Sequence, residues 1–170
     1  MSESAQKYLR FFAMIAVSMV VMYGVMYLNT YELDHVHFSE TRFFMTLLMG
    51  ASMMVVMLLF MLRMYENTLM NLTILCGAVV LFIAATWLVR SQASVDDEAY
   101  MDGMIPHHSI ALLTSERADI EDLRVRELAD GIIAAQKREI AEMKWLLGDI
   151  ERNGPATTQE DVNARPVPEF

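Results

Sequence analysis

The chain has 170 residues, of which 55% are hydrophobic, with a formal net charge of −9 and a mean hydropathy of +0.30. This composition excludes a single water-soluble domain, because the apolar residues gather in long uncharged runs. The charge argues against nucleic acid as a partner. Residues 1–90 carry as many bases as acids, so the whole negative excess lies in residues 91–170.

Three uncharged apolar runs dominate the first half of the chain, and they span residues 11–28, 43–62 and 69–89. Each has about the 20 residues that a helix needs to cross roughly 30 Å of hydrocarbon. We therefore predict an all-α protein in which residues 1–90 form a membrane domain with the lipid bilayer as a partner. The predicted spanning helices cover residues 9–28, 43–62 and 69–89.

Basic residues beside these runs indicate the orientation in the membrane. The bases on one side are Lys7, Arg10 and Arg63, and those on the other side are Arg42 and Arg90. Because cytoplasmic loops carry the excess of Lys and Arg, this count favours a cytoplasmic N-terminus. Three crossings then place the C-terminal region outside the cytoplasm, on the same side as the loop 29–42.

Residues 91–153 have the pattern of a two-helix hairpin. Ser94 with Asp97 predicts a capping box at the first helix. The second helix is expected to end before Gly154, and residues 154–170 are predicted to form a disordered tail. The second helix carries a wide apolar stripe that needs a partner, so we expect two hairpins to pair into a four-helix bundle in a homo-oligomer.

The first helix of the hairpin concentrates soft metal ligands on one face. At about 100° per residue, Asp97, Met101, Met104 and His108 fall within one arc, and His107 lies at its edge. On the second helix Met143 occupies the centre of the apolar stripe. Gln136 and Glu139 lie close to it and are expected to support the site.

These donors predict a site for a monovalent soft ion. Thioethers select Cu(I), and Ag(I) by the same argument, whereas Mg and Ca prefer oxygen and Zn prefers Cys, His and carboxylate. Cu(II) remains an alternative oxidation state. The single cysteine, Cys76, lies in the third apolar run, so no thiolate ligand is available outside the membrane. The plain alternative is that these methionines only fill a core.

The loop 29–42 holds the other two histidines, His35 and His37. With Asp34 and Glu40 they are a candidate second metal site, or they complete the first one. The alternative is a polar loop at the membrane interface. The methionines inside the apolar runs are best explained as flexible packing, because a four-residue spacing spirals around a helix.

Residues 100–147 resemble the bacterial family called domain of unknown function 305 (DUF305). Its hallmarks are a M-x-x-M-I-x-H-H stretch and a second helix reading I-I-x-x-Q-x-x-E-I-x-x-M. The matching residues here are Met101, Met104, Ile105, Pro106, His107, His108, Gln136, Glu139, Ile140 and Met143. The resemblance implies a ferritin-like helical fold, anchored here to the membrane, and copper binding or tolerance outside the cytoplasm.

The sequence therefore predicts a membrane-anchored protein that binds copper or silver for metal homeostasis or tolerance, and that is not an enzyme. Its expected place is a bacterial inner membrane, with the C-terminal domain in the periplasm and a copper donor or acceptor protein as partner. One alternative is a structural membrane assembly without a metal role. The other is a ferritin-like di-metal oxidase. This chain lacks the Glu-x-x-His pair that such an enzyme requires, since Met104 and Ile105 occupy the positions three residues before the two histidines.

Overall fold

A computed structural model describes residues 3–170 of the chain. Within these residues the protein is all-helical, with six α-helices and one short 3-10 helix at Leu33–His35. The α-helices are α1 (Glu3–Val25), α2 (Glu40–Phe60), α3 (Thr68–Ser91), α4 (Asp97–Arg117), α5 (Leu123–Asn153) and α6 (Gln159–Ala164).

The chain divides into two compact units. The membrane unit comprises the chain up to Leu28 together with Glu40–Ser94, and the hairpin unit comprises Asn29–Ser39 together with Val95–Phe170. The boundaries predicted from the sequence are 1–90, 91–153 and 154–170. The structure differs, because it groups the loop between α1 and α2, and the C-terminal segment, with the helical hairpin.

In the membrane unit, α1, α2 and α3 are each long and apolar enough to cross a bilayer, as predicted. Their bounds differ from the predicted ones by a few residues. The largest difference is at α1, which is described as Glu3–Val25 instead of the predicted 9–28 and so includes polar residues before the apolar run. Phe11, Ile15 and Leu58 are buried between the helices, and methionines pack against them. Such packing suits an unbranched thioether side chain that fills irregular gaps.

In the hairpin unit, α4 and α5 pack against each other around Ile105, Leu112 and Ile140. The capping box predicted from Ser94 is wrong. The N-cap is Asp96, whose side chain accepts a hydrogen bond from the Ala99 amide, so the helix begins at Asp97. The hydroxyl of Ser94 donates instead to Glu40 within the membrane unit.

Asp122 caps the start of α5 by accepting the Arg124 amide at 2.9 Å, and the other end of α5 is as predicted. α5 ends at Asn153, and Gly154 follows with φ +73°, a left-handed value that glycine adopts without strain. Pairing of two such hairpins into a four-helix bundle stays a prediction.

The C-terminal segment, predicted to be disordered, contains the short helix α6. Thr158 and Asp161 form a reciprocal capping box at its start. Arg165 then donates to Asp149 of α5 at 2.8 Å and to the Gly154 carbonyl at 3.1 Å. These bonds hold the segment against the end of α5, a long-range effect that local composition does not reveal.

Candidate metal centre

A cleft of about 560 Å³ opens between α4 and α5, and we call it the methionine cleft. From α4 it is lined by Asp97, Tyr100, Met101, Met104 and His108, and from α5 by Glu139, Glu142, Met143, Leu146 and Ile150. The two helices thus bring three thioethers and one imidazole to a single concave surface.

The three thioethers reach the cleft because of helical periodicity. Met101 and Met104 are one turn apart on α4, so their side chains lie on the same face. Met101 is 6% exposed and Met143 is 9% exposed, and both belong to the core of the hairpin unit. Met104 is half-buried and packs against that core. The sulfur atoms therefore sit where core meets cleft, which satisfies packing and leaves room for a ligand.

His108 is the imidazole of the methionine cleft. Its Nδ1 atom lies 3.1 Å from Oε2 of Glu139, but this buried nitrogen makes no hydrogen bond of acceptable angle. Burial lowers the pKa of His108 below its usual value, against the opposing effect of Glu139 and with a smaller lowering by His107. The ring is thus kept neutral, which is the form that binds a metal ion.

Three other predicted site residues take different positions. Asp97 lines the methionine cleft at the first turn of α4. His107 is exposed and does not line the cleft, although its ring centre lies 6.2 Å from that of His108. Gln136 faces another surface depression of α5 and donates to Glu139 at 3.4 Å, so it supports the site only through that carboxylate.

The donor set of the cleft suits a soft monovalent ion. Thioethers bind Cu(I) and Ag(I) without losing a proton, and a neutral imidazole is an acceptable partner for both. Glu139 contributes a negative charge beside His108. The buried Nδ1 of His108 has no hydrogen-bond partner among the described residues, and an unsatisfied polar atom in a core costs about 1–3 kcal/mol.

The loop Asn29–Ser39 packs on α4 within the hairpin unit, and Ser109 is its main anchor. The Tyr31 amide donates to Ser109 Oγ at 2.7 Å, and Nδ1 of His35 lies 3.0 Å from the same oxygen. His37 Nδ1 lies 2.8 Å from Asp102 instead. The two loop histidines, predicted to share a site, therefore have different partners. Neither lines the methionine cleft.

A second group of potential metal ligands lies in this loop. Glu32, Asp34 and His35 offer ligand atoms that all lie within 4.8 Å of one another. The Lys144 ammonium, 2.6 Å from Asp34, lowers the pKa of that carboxyl. Burial, followed by the charge of Lys144, lowers the pKa of His35. Of the predicted acidic partners, Asp34 is present here, whereas Glu40 belongs to the membrane unit.

Several residues of these sites were not predicted. Tyr100, Glu142 and Leu146 line the methionine cleft three residues from Asp97, Glu139 and Met143, and Ile150 lines it seven residues, or two helical turns, from Met143. Their helical spacing from the predicted residues is the sequence pattern that could have identified them. Ser109 carried no such signal, since its partners Tyr31 and His35 are 78 and 74 residues away along the chain.

Comparison with known proteins places these helices in a family. The family described as "Domain of unknown function (DUF305)" matches residues 97–167. An uncharacterized protein of Acanthamoeba polyphaga mimivirus is 32% identical over 144 residues, which are 81% of this chain and 93% of that relative. No solved structure matches the chain.

Proposed function

The chain belongs to the DUF305 family, and from this premise we propose that it is a membrane-anchored protein that binds Cu(I) or Ag(I) in its methionine cleft. The observation that carries the proposal is the meeting of Met101, Met104, His108 and Met143 at one concave surface between α4 and α5. Thioether and imidazole donors on one concave surface are ligands that a soft ion prefers, and Nδ1 of His108 has no hydrogen-bond partner among the described residues.

Each helix contributes a distinct part of the binding chemistry. α4 supplies two thioethers and the imidazole, and α5 supplies the third thioether. Glu139 lines the same cleft and places a negative charge 3.1 Å from Nδ1 of His108, which favours a bound cation. In this proposal the ion is cargo, to be held or passed on. We therefore propose a role in copper homeostasis or tolerance rather than an enzyme.

The three apolar helices support the membrane anchor. The loop Asn29–Ser39 and the segment from Val95 onwards form one unit, so they lie on the same side of any membrane that the chain crosses. α2 and α3, two crossings, connect them, which agrees with that requirement. With the basic residues near α1, this supports a location of the hairpin unit outside the cytoplasm. We propose the periplasmic face of a bacterial inner membrane.

Exposed residues of the hairpin unit favour two kinds of partner. His107 is exposed next to His108, and it offers an imidazole to a copper donor or acceptor protein at the edge of the site. Val125, Leu128 and Ile132 follow one another along α5 and are exposed at 48%, 64% and 36%. An apolar face of this kind favours a second copy of the chain.

The proposal is tested on the full-length protein in detergent by calorimetric titration with Ag(I). Met101→Leu with Met104→Leu removes both sulfur atoms and keeps the side-chain volume, so the core should persist. We expect the affinity to fall about ten-fold or more, a loss of at least about 1.4 kcal/mol of binding free energy.

The matched control carries Met64→Leu and Met70→Leu, two methionines of the membrane unit that are 40% and 39% exposed. This control should bind Ag(I) as the unaltered protein does. Equal affinity in all three proteins, or no binding by the unaltered chain, would contradict the proposed function and favour a purely structural membrane assembly.

A further inference from the structure

We infer that Glu32, Asp34 and His35 form a second metal site, which takes a borderline divalent ion such as zinc and is separate from the methionine cleft. The three residues lie at the 3-10 turn of the loop between α1 and α2. Their ligand atoms are one nitrogen and two oxygens, a set that differs in softness from the sulfur-rich cleft.

The imidazole of His35 points to a ligand independently of the two carboxylates. Its side chain is only 7% exposed, and Nδ1 is held by Ser109, a fully buried residue. Nε2 faces Glu32 and Asp34 at 3.9 Å from an oxygen of each, which is too long for a hydrogen bond. The largely buried ring of His35 thus directs its Nε2 atom at two carboxylates without a hydrogen bond to either.

Ser109 can support the tautomer that metal binding requires. A hydroxyl oxygen has two lone pairs, and one of them accepts the Tyr31 amide at 2.7 Å. Nδ1 of His35 lies 3.0 Å from the same oxygen, and in the tautomer that carries the proton on Nδ1 this nitrogen donates to Ser109 and leaves a lone pair on Nε2 for the ion. A metal-binding histidine almost always donates its second ring N–H in this way, so Ser109 supplies the expected supporting contact.

The distances fit an ion after small movements of exposed side chains. Zinc binds imidazole nitrogen at about 2.0–2.1 Å and carboxylate oxygen at about 2.0–2.2 Å. The ligand atoms here are spread over up to 4.8 Å, so the carboxylates must approach His35 slightly. The side chains of Glu32 and Asp34 are 57% and 64% exposed, so they can rotate freely while the buried imidazole stays fixed.

The remaining coordination positions are open to water. Glu32 and His35 line a cleft of about 260 Å³, which leaves room for bound water beside the ion. Zinc sites with three protein ligands commonly complete their coordination in this way. Imidazole disfavours calcium and magnesium, and the lack of sulfur disfavours Cu(I).

Lys144 limits the strength of the site without blocking it. Its ammonium lies 2.6 Å from Oδ2 of Asp34, whereas Oδ1 is the oxygen that faces His35. Asp34 therefore bridges the lysine and the ion. Because two cations repel each other across this carboxylate, Lys144→Met should increase the affinity for zinc.

The test is a zinc titration of the full-length protein in detergent after the methionine cleft has been filled with Ag(I). A competing chelator reports the affinity, and Co(II) absorption reports nitrogen and oxygen ligation. The unaltered protein should bind one zinc ion per chain. Glu32→Gln, alone and with Asp34→Asn, should weaken binding about ten-fold or more. The single variant leaves the contact between Lys144 and Asp34 intact, so folding is preserved.

The matched control is Glu127→Gln with Glu151→Gln, which removes the same charge from exposed positions of α5. It should bind zinc like the unaltered chain. Equal zinc affinity in the Glu32 variants and in this control overturns the inference, as does the absence of zinc binding by the unaltered protein. Silver binding is measured in the same samples, so the second site and the methionine cleft succeed or fail independently.

Discussion

His108 and Glu139 face each other between α4 and α5, with Nδ1 3.1 Å from Oε2 and no hydrogen bond of good angle between them. His107, the next residue of the chain, is exposed and lies outside the methionine cleft. Two adjacent imidazoles therefore have unequal surroundings, since one residue along a helix turns the side chain by about 100°. Because the surroundings differ, substituting each histidine separately distinguishes binding in the cleft from a general affinity of histidine for soft ions.

We predict that His108→Gln weakens Ag(I) binding about ten-fold or more, because it removes a nitrogen donor from the cleft. His107→Gln should leave the affinity within about two-fold of the unaltered value, because its ring lies outside the cleft. Calorimetric titration of the two variants checks this, and each serves as the control of the other. Equal losses would mean that the ion is bound at the exposed edge of α4.

We predict that Ser109→Ala loosens the loop Asn29–Ser39. Ser109 is fully buried, and its loss leaves the Tyr31 amide and His35 Nδ1 without their partner. An unsatisfied buried group costs about 1–3 kcal/mol, so amide hydrogen exchange in the loop should accelerate by roughly one to two orders of magnitude. Ser115→Ala on the same helix is the control. Unchanged exchange in the loop would show that Ser109 does not anchor it.

The sequence predicted those parts of the protein that depend on local periodicity. Long apolar runs identified α1–α3, and helical spacing placed Met101, Met104, His108 and Met143 on facing surfaces. Each inference needed only residues within a few turns of one another.

The packing of the loop Asn29–Ser39 on α4 could not be predicted in this way. The contact between His37 and Asp102 joins residues 65 positions apart, and only the folded chain brings them together. The C-terminal segment is an intermediate case. Its capping pattern, Thr158 with Asp161, is visible in the sequence, but the bond from Arg165 to Asp149 is not.

Acid should weaken the attachment of the same loop through Glu116. Hydrogen bonds from Tyr31 and then Lys137 lower the pKa of this carboxyl below its usual value of 4.5. A group whose pKa is depressed by folding contributes stability above its unfolded pKa, and that contribution is lost as the pH falls through the folded pKa. We therefore expect the loop to open more readily below about pH 4.5.

Hydrogen exchange measured over a pH series, corrected for intrinsic exchange, follows this opening. Glu116→Gln cannot ionise, so it should already be less protected at neutral pH and should lose less protection on acidification. The pairing of Glu116 with the Tyr31 hydroxyl at 2.6 Å is the contact being tested. The same acid response in both proteins would assign the effect to other carboxylates.

Self-association should depend on the exposed apolar face of α5. Leu128 is 64% exposed at the middle of a line that includes Val125 and Ile132. A glutamate there places a charge in any interface formed by this face, and a buried unpaired charge is strongly destabilising. Leu128→Glu should convert the oligomer into single chains, as measured by native mass spectrometry of the detergent-solubilised protein.

The control for this variant is another charge change on α5. Leu69→Glu would be an unsuitable control, because residue 69 lies in the apolar helix α3. Glu151→Lys alters charge at an exposed position of α5 outside the depression that Leu128 and Ile132 line, so it should retain the oligomer. An oligomer that persists in Leu128→Glu would assign association to another surface.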